Sequence, residues 1–499
     1  MSRSTARRAA AFLLLVLLPL ATSPLTVDLR PQKALVLALA LPFCAWGAPS
    51  LVAMLALALG LVALLVWPAA PWEILAVASA PTVFGALSEL LSEDRAFVFR
   101  LARRVVLAAS ALALAGVIGL VPFETGAFRL PYPVLVGTFG NPNHLAAFLL
   151  LVLPLCAADR ASAARSADRI EATSALILGA ATILLCRSHL AALTLAAEVL
   201  LLVPRAALAA PLAALALVPI AFTSEGFVRA LEGRLYLLVV HARGLSAQTL
   251  LLGIGPDVIA SRFLDWQSDH LAAHPDAARF WTFPEHPHDD VAALVLAFGL
   301  LPAALALLLA RKRLRLVPVL PRAELRAAWF AFALLALGAG LSASPATWIA
   351  ALLVLACTFR PRAASPASWN LARAGLACAL AWALVAFAQL LSAYHHREAL
   401  RLAPAPGALR HTRAALVFPF DRGRLLHLEG RLLLEAGRPR EAADELRQAA
   451  RVLPHPIVWK ALAVAERAAG RPDAALAAAR AWLHYRPGDP EAKAVIEGR

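Results

Sequence analysis

From residue 9 to residue 393 the chain alternates long apolar runs with short polar breaks. The runs fall at 9–27, 34–49, 50–67, 73–91, 105–123, 143–158, 172–187, 189–204, 206–222, 289–310, 325–342, 345–359 and 371–393. A bilayer core takes about 20 apolar residues to cross as a helix, and a crossing segment must satisfy its own backbone hydrogen bonds. Nearly uncharged runs of this kind therefore predict membrane-crossing helices. The stretches 34–67 and 172–204 each divide into two short runs with hardly any loop. After residue 394 charges return and no run is long enough to cross. The expected fold class is all-α: a polytopic membrane domain over 1–394 with about 12–13 crossing helices, then a helical domain over 395–499.

The last hundred or so residues repeat themselves. "LLLEAGRPREAADELRQAARVLPHP" (432–456) returns as "AERAAGRPDAALAAARAWLHYRPGD" (465–489). Gly437 recurs as Gly470 and Pro454 as Pro487, a period of 33 residues. Each unit is a helix, a Gly-Arg-Pro turn, a second helix and a closing proline. The pattern resembles tetratricopeptide repeats, whose period is about 34. A degraded unit is expected over 396–420. Such stacks bind protein partners on a concave face. Only a few residues tie the repeats to the last crossing, so they are expected beside the outer face, close to the polar segment 223–288.

Composition agrees with the membrane reading. Hydrophobic residues make up 61% of the chain and charged residues 16%, against about 25% charged in soluble domains. The net charge of +15 does not point to nucleic acid, because no aromatic-basic groove or binding motif accompanies it. It points to orientation. With the N-terminus inside, the inside loops carry Arg95, Arg100, Arg103 and Arg104, then Arg160, Arg165 and Arg169, and later the basic stretch 311–326. The short outside loops carry only Arg30, Lys33, Arg129 and Arg187. That asymmetry follows the positive-inside rule and places both 223–288 and the tail outside. Arg3, Arg7 and Arg8 before Ala9–Leu20 look like a signal peptide, but further runs follow at once, so an uncleaved first helix is expected. Cys44, Cys156, Cys186, Cys357 and Cys378 all lie in or at the ends of apolar runs, with no disulfide framework and no metal spacing.

Three clusters carry candidate chemistry. "EHPHDDVAALVLAFGLLP" (285–302) crowds His286, His288, Asp289 and Asp290 against a greasy helix. Carboxylates at a helix start are favoured by the macrodipole, so capping accounts for Asp289 and Asp290. His288 can titrate near neutral pH at the membrane surface. A metal site built from His286 and His288 with His270, His274 or Asp276 is a weaker alternative, because no spacing matches a familiar metal motif. A solvated interfacial loop without chemistry is another. "GTFGNPNHLAAFLLLVLPL" (137–155) places Asn141 as N-cap and Pro142 as first helical residue, with Asn143 and His144 unexplained by capping. A helix start of that kind can hold a phosphate. "GRLYLLVVHARGLSAQTLLLGIGPDVIASRF" (233–263) combines Arg234 with Gly253-Ile254-Gly255-Pro256 in a basic outside segment, which suggests an anionic ligand.

Together and in this order, the three clusters resemble the O-antigen ligase and polymerase superfamily of bacterial membrane glycosyltransferases. The family's outer-face asparagine motif matches Gly137–Ala146, its arginine and glycine stretch matches Arg234–Gly255, and its histidine motif matches His288 to Pro302. Asp289 stands where Asn, Ser or Gln is usual and Pro302 where a second glycine is usual. The family's Ser-Arg falls at Ser188-His189, with Arg187 just before. The resemblance implies transfer of a preassembled glycan from a polyprenyl-diphosphate donor to a lipid or protein acceptor. It implies the bacterial inner membrane, with the 223–288 segment and repeats in the periplasm, and no cofactor and no metal. His288 would activate the acceptor. Arg234, Arg187, Asn141 and Asn143 would hold the diphosphate, supported by His286, Asp289, His144, His189, Gly253 and Gly255. Polymerase, protein O-oligosaccharyltransferase and non-catalytic repeat scaffold are the alternatives.

Overall fold

The computed structural model describes residues 1–21, 30–66, 71–118, 120, 137–139, 141–203, 205–222, 224–256, 258–282, 290–338, 340–361, 369–419 and 421–498. Helices make up nearly all of them. Arg3–Phe12 continues through a π-helical turn, Leu13–Leu17, into Leu18–Leu20. Then come Arg30–Gly47, Leu51–Val66, Pro71–Val117, Pro142–Ser162, Ser166–Leu185, His189–Leu202 and Ala206–Phe222. After the polar segment the bundle resumes with Asp290–Phe298, Leu300–Arg313, Arg322–Gly338, Pro345–Thr358 and Trp369–Leu402. The described exception to helix is a two-stranded clip, Leu314–Leu316 antiparallel to Phe359–Pro361.

Every expected run contains helix, but the lengths differ from the expectation. Three helices among the described residues are long and apolar enough to cross a membrane: Pro71–Val117, Pro142–Ser162 and Asn370–Leu402. Asp290–Phe298 and Leu300–Arg313 make a fourth if counted as one broken crossing. Leu51–Val66, His189–Leu202 and Pro345–Thr358 are apolar but shorter. Their fourteen to sixteen residues rise about 21–24 Å, less than the bilayer core of about 30 Å. By length and composition, then, three or four described helices qualify rather than 12 or 13.

Contacts sort the helix ends into two layers. At one end, the buried Arg7 guanidinium meets the Gly47 carbonyl at 2.5 Å and the carboxylates of Glu89 and Glu93. At the same end, by alternation, Arg103 binds Asp159 at 2.6 Å, Asp168 at 3.0 Å and Glu171 at 2.8 Å. At the opposite end, Trp72 Nε1 donates to the Ser342 carbonyl at 2.9 Å. Lys33 Nζ donates to the carbonyls of Leu18 and Pro19 at 2.9 and 2.7 Å. Two expectations are corrected here. Lys33 is not a loop charge; it is 2% exposed, its ammonium satisfied by carbonyls at a helix C-terminus. Residues 95–104 are not a loop either. The Pro71–Val117 helix breaks only at Asp94 (φ −149°, ψ 67°) and restarts at once, with Asp94 accepting from the Phe97 N–H at 3.0 Å.

The Trp369–Leu402 helix runs through residues 394 and 395 without a break and forms a pair with Pro406–Leu416. The elbow is fastened by Ser392 Oγ to the Ala415 carbonyl at 2.9 Å and by His395 Nδ1 against His411 Nδ1 at 2.9 Å. Two further pairs follow, Arg422–Glu435 with Pro439–Val452 and Pro456–Ala468 with Pro472–Tyr485, closed by Pro490–Ile496. Proline opens five of these helices, where its missing N–H costs nothing. Gly437 and Gly470 have φ of 72° and 76° and cap equivalent helices, with Arg438 and Arg471 N–H reaching back to Leu433 and Glu466 carbonyls at 2.9 Å. This is the repeat geometry expected from the 33-residue period.

Candidate functional site

The segment 224–282 is folded rather than looped. Ser224–Arg243, Ile259–Ala273 and the 3-10 turn Pro275–Phe280 surround Tyr236, Val240, Phe263 and Leu271. Tyr236 donates its hydroxyl to Gln267 Oε1 at 3.0 Å, and Gln267 is in turn held by the Thr282 backbone.

Gly253 closes the Ala247–Leu252 helix at φ 74°, and Gly299 separates Asp290–Phe298 from Leu300–Arg313 at φ 82°. These two backbones lie face to face. Ile254 N–H donates to the Leu296 carbonyl at 2.7 Å, and Gly255 N–H to the Ala297 carbonyl at 3.0 Å. A Cβ on Gly253 would strike the Ala297 carbonyl, and one on Gly299 would strike that of Leu251. Both positions need glycine twice over, for the left-handed backbone and for the close approach. The two glycine motifs are thus one contact. The orphan carbonyls at the end of a helix are satisfied by the turn that follows another. Pro302 falls in the first turn of Leu300–Arg313, where proline is tolerated.

Asp290 is the first residue of its helix and is buried. Its carboxylate is not spent on that helix alone. It accepts from the Leu341 N–H at 2.5 Å, the Ser342 N–H at 2.9 Å and the Ser342 hydroxyl at 2.5 Å. The turn after Arg322–Gly338 is thereby stapled to the start of Asp290–Phe298. Charge-assisted bonds to two backbone donors are stronger than neutral ones, so this staple fixes the chain end at which the 283–289 segment joins the bundle. His286, His288 and Asp289 themselves lie outside the described residues.

Arg234 projects from Ser224–Arg243 toward the bundle. Its Nη1 lies 2.8 Å from where a Cβ on Gly338 would be, and a Leu190 methyl lies 2.9 Å from the same point. No hydrogen bond or ion pair to Arg234 exists among the described residues, and burial lowers its pKa below the usual arginine value. Guanidinium does not lose its proton in proteins, so a half-buried cation with no counter-ion among the described residues favours an anion beside it.

The other described candidates sit at the starts of helices that pack with these. Arg187 is exposed and left-handed (φ 54°). It forms the turn between Ser166–Leu185 and His189–Leu202, where glycine or asparagine is the ordinary choice. Ser188 then caps the helix that His189 begins, one residue before Leu190. Asn141 caps Pro142–Ser162 by accepting from Asn143 N–H at 2.8 Å; Asn143 is exposed and His144 half-buried. That helix packs against both His189–Leu202 and Arg322–Gly338, the helices that contribute Leu190 and Gly338. Ahead of Asn141, Phe139 is buried beneath the Lys33 ammonium at 5.1 Å. Among the described residues, no group of three His, Cys, Asp or Glu side chains could hold a metal ion. His270 and His274 do approach each other, with ring centroids 4.7 Å apart.

One interface was not legible in the motifs. Asp265, Ser268 and Trp281 of the polar segment meet the last full repeat. Tyr485 hydroxyl donates to Asp265 Oδ1 at 2.8 Å, Ser268 Oγ to the His484 carbonyl at 2.9 Å, and Trp281 Nε1 to the Tyr485 carbonyl at 2.8 Å. Arg486 lies over the Trp281 ring at 5.4 Å. The repeats do lie against the described part of the 223–288 segment, as their short tether suggests. The available signal was the aromatic pair Trp482 and Tyr485 in an otherwise alanine-rich helix.

No family model matches the sequence, and no curated protein matches it. A solved structure described as "Crystal structure of APC/C hetero-tetramer Cut9-Hcn1" is similar at 14% identity over 94% of this chain and 90% of that chain, with a TM-score of 0.20. At that score the likeness carries no structural argument.

Proposed function

We propose that the protein is a membrane glycosyltransferase that moves a preassembled glycan from a polyprenyl diphosphate to an acceptor hydroxyl at the outer face of the bacterial inner membrane. The observation that supports this most is Arg234, a half-buried cation without a described counter-ion at the end of a helical bundle. The donor is half lipid and half diphosphate, which suits a charged recess against apolar helices. In the proposed step, His288 takes the proton of the acceptor hydroxyl. The acceptor oxygen bonds to the anomeric carbon, and the bond from that carbon to the diphosphate oxygen breaks with its electron pair. Arg234, with Arg187 beside the same helix start, stabilises the charge that develops on the departing diphosphate. Asn141 and Asn143 present a capped helix start for its remaining oxygens. The reaction calls for no cofactor.

The repeat domain, docked on the 223–288 segment, would select the acceptor. A glycan profile of a deletion strain tests the function. Glycan missing from lipid A-core identifies ligation, glycans of a single repeat unit identify polymerisation, and unmodified protein identifies protein glycosylation. An unchanged profile would leave the repeats as a scaffold and reject the enzyme reading. A chain ending at Ala403 should still bind donor while transferring poorly to its natural acceptor.

A further inference from the structure

At the end of the bundle opposite Arg234, a cavity of about 450 Å³ is lined by Arg160, Arg169, Ile170, Thr173 and Ser174. From its position and lining, we propose that it binds the headgroup of an anionic phospholipid of the inner leaflet. This rests on the membrane reading given above.

The charge balance around the cavity is the first argument. The carboxylates nearby in the chain are already engaged: Asp159, Asp168 and Glu171 all bind Arg103. Arg160 and Arg169 have no carboxylate partner among the described residues. Both guanidinium groups are nonetheless oriented. Arg160 Nε donates to Thr173 Oγ1 at 3.1 Å, and Arg169 Nε to the Ala163 carbonyl at 2.9 Å. Their Nη groups remain without a described acceptor, and a phosphate is the acceptor that guanidinium geometry fits best. The Ser174 hydroxyl adds a donor at the cavity wall.

The second argument separates a lipid from a free phosphate. Ile170 is 67% exposed and Ile177, two turns further along the same helix, is 66% exposed. With Ser174 and Ala181, also exposed, they form a stripe running from the cavity along Ser166–Leu185. A headgroup in the cavity would lay an acyl chain along that stripe. Basic pockets between helices on the cytoplasmic side are suited to anionic headgroups.

The test uses the purified full-length protein in a neutral detergent with three probes: dioctanoyl phosphatidylglycerol, dioctanoyl phosphatidylcholine and inorganic phosphate. Phosphatidylglycerol should bind saturably, about tenfold or more tighter than either of the others. The R160Q/R169Q double variant should lose about tenfold in that affinity at an unchanged melting temperature. Equal binding of the two lipids overturns the proposal, and so does full affinity in the double variant. Inorganic phosphate binding as tightly as phosphatidylglycerol overturns the lipid assignment in favour of a soluble anion. If the double variant does not fold, the comparison of lipids on the wild-type protein decides. Extraction of the protein from membranes by alkaline carbonate alone would instead reject the membrane reading, whatever the lipid result.

Discussion

Tyr485 and Asp265, 220 residues apart in the chain, share a hydrogen bond of 2.8 Å that joins the last full repeat to the polar segment. Burial, and then the bond to Asp265, raise the Tyr485 pKa, so the hydroxyl stays protonated as donor. Tyr485→Phe should weaken the docking by about 1–2 kcal/mol. Amide exchange over 472–485 should quicken while exchange over 422–435 stays unchanged. A uniform change in both helices would mean that the bond supports the whole repeat fold rather than this interface.

Glycine substitutions should separate backbone conformation from contact. Gly437 has φ 72° and open space around its missing Cβ, whereas Gly253 at φ 74° and Gly299 at φ 82° face another backbone. Gly437→Ala should cost about 1 kcal/mol. Gly253→Ala or Gly299→Ala should cost about 3 kcal/mol or more, because the contacting backbone has to move. Thermal unfolding in detergent measures the difference, and equal costs at the three sites would dissolve the proposed contact.

Arg234 gives a prediction about donor binding. Arg234→Ala should lower transfer by about a hundredfold or more. Arg234→Lys should recover little, since lysine cannot bind a diphosphate in bidentate fashion. Gly338→Ala should push the guanidinium aside and raise KM for the donor more than it lowers kcat. A normal KM in Gly338→Ala would show that the anion sits elsewhere. His288→Ala should abolish transfer at an unchanged protein level, and EDTA should not inhibit.

Acid should loosen the repeats. Burial, reinforced by the charge of Arg431, lowers the His427 pKa from 6.5 to about 4. Burial, with the charges of His427, Arg424 and Arg486, lowers that of His455 from 6.5 to about 4. Between those values the unfolded chain binds protons that the folded chain does not. The contribution is therefore complete above about pH 6.5 and is lost as pH falls toward 4, on the order of 1–3 kcal/mol per histidine. His455 Nδ1 accepts the Ile457 N–H at 3.1 Å. His455→Asn should keep that cap and flatten the pH dependence of chemical unfolding; an unaltered slope would clear His455 of the effect.

The local features of this fold are legible in the sequence; of the long-range ones, only the approach of the repeats to the polar segment is. Gly437 and Gly470 announced their turns because a helix cap is a matter of a few consecutive residues. Asn141 did the same. Gly253 and Gly299 each stood out, yet nothing in either motif says that they meet, because the contact is between backbones. Asp290 reads as the cap of its own helix; its carboxylate also holds two N–H groups and the Ser342 hydroxyl of the Leu341–Ala343 turn, a pairing that no local pattern records. Lys33 reads as a loop charge because its carbonyl partners are invisible in a sequence. Arg234 stood out by charge, but its lack of a described counter-ion is a fact of packing.

The Trp369–Leu402 helix is 34 residues long, about 50 Å end to end. One part carries Trp382, fully buried in the bundle with Nε1 on the Leu57 carbonyl at 3.0 Å, and the other is fastened to the first repeat pair. A rod held at both ends behaves as an axle. A pull on the repeats would turn the whole rod, and the bundle would feel that torque at Arg30–Gly47 and Leu51–Val66, the helices packed along it.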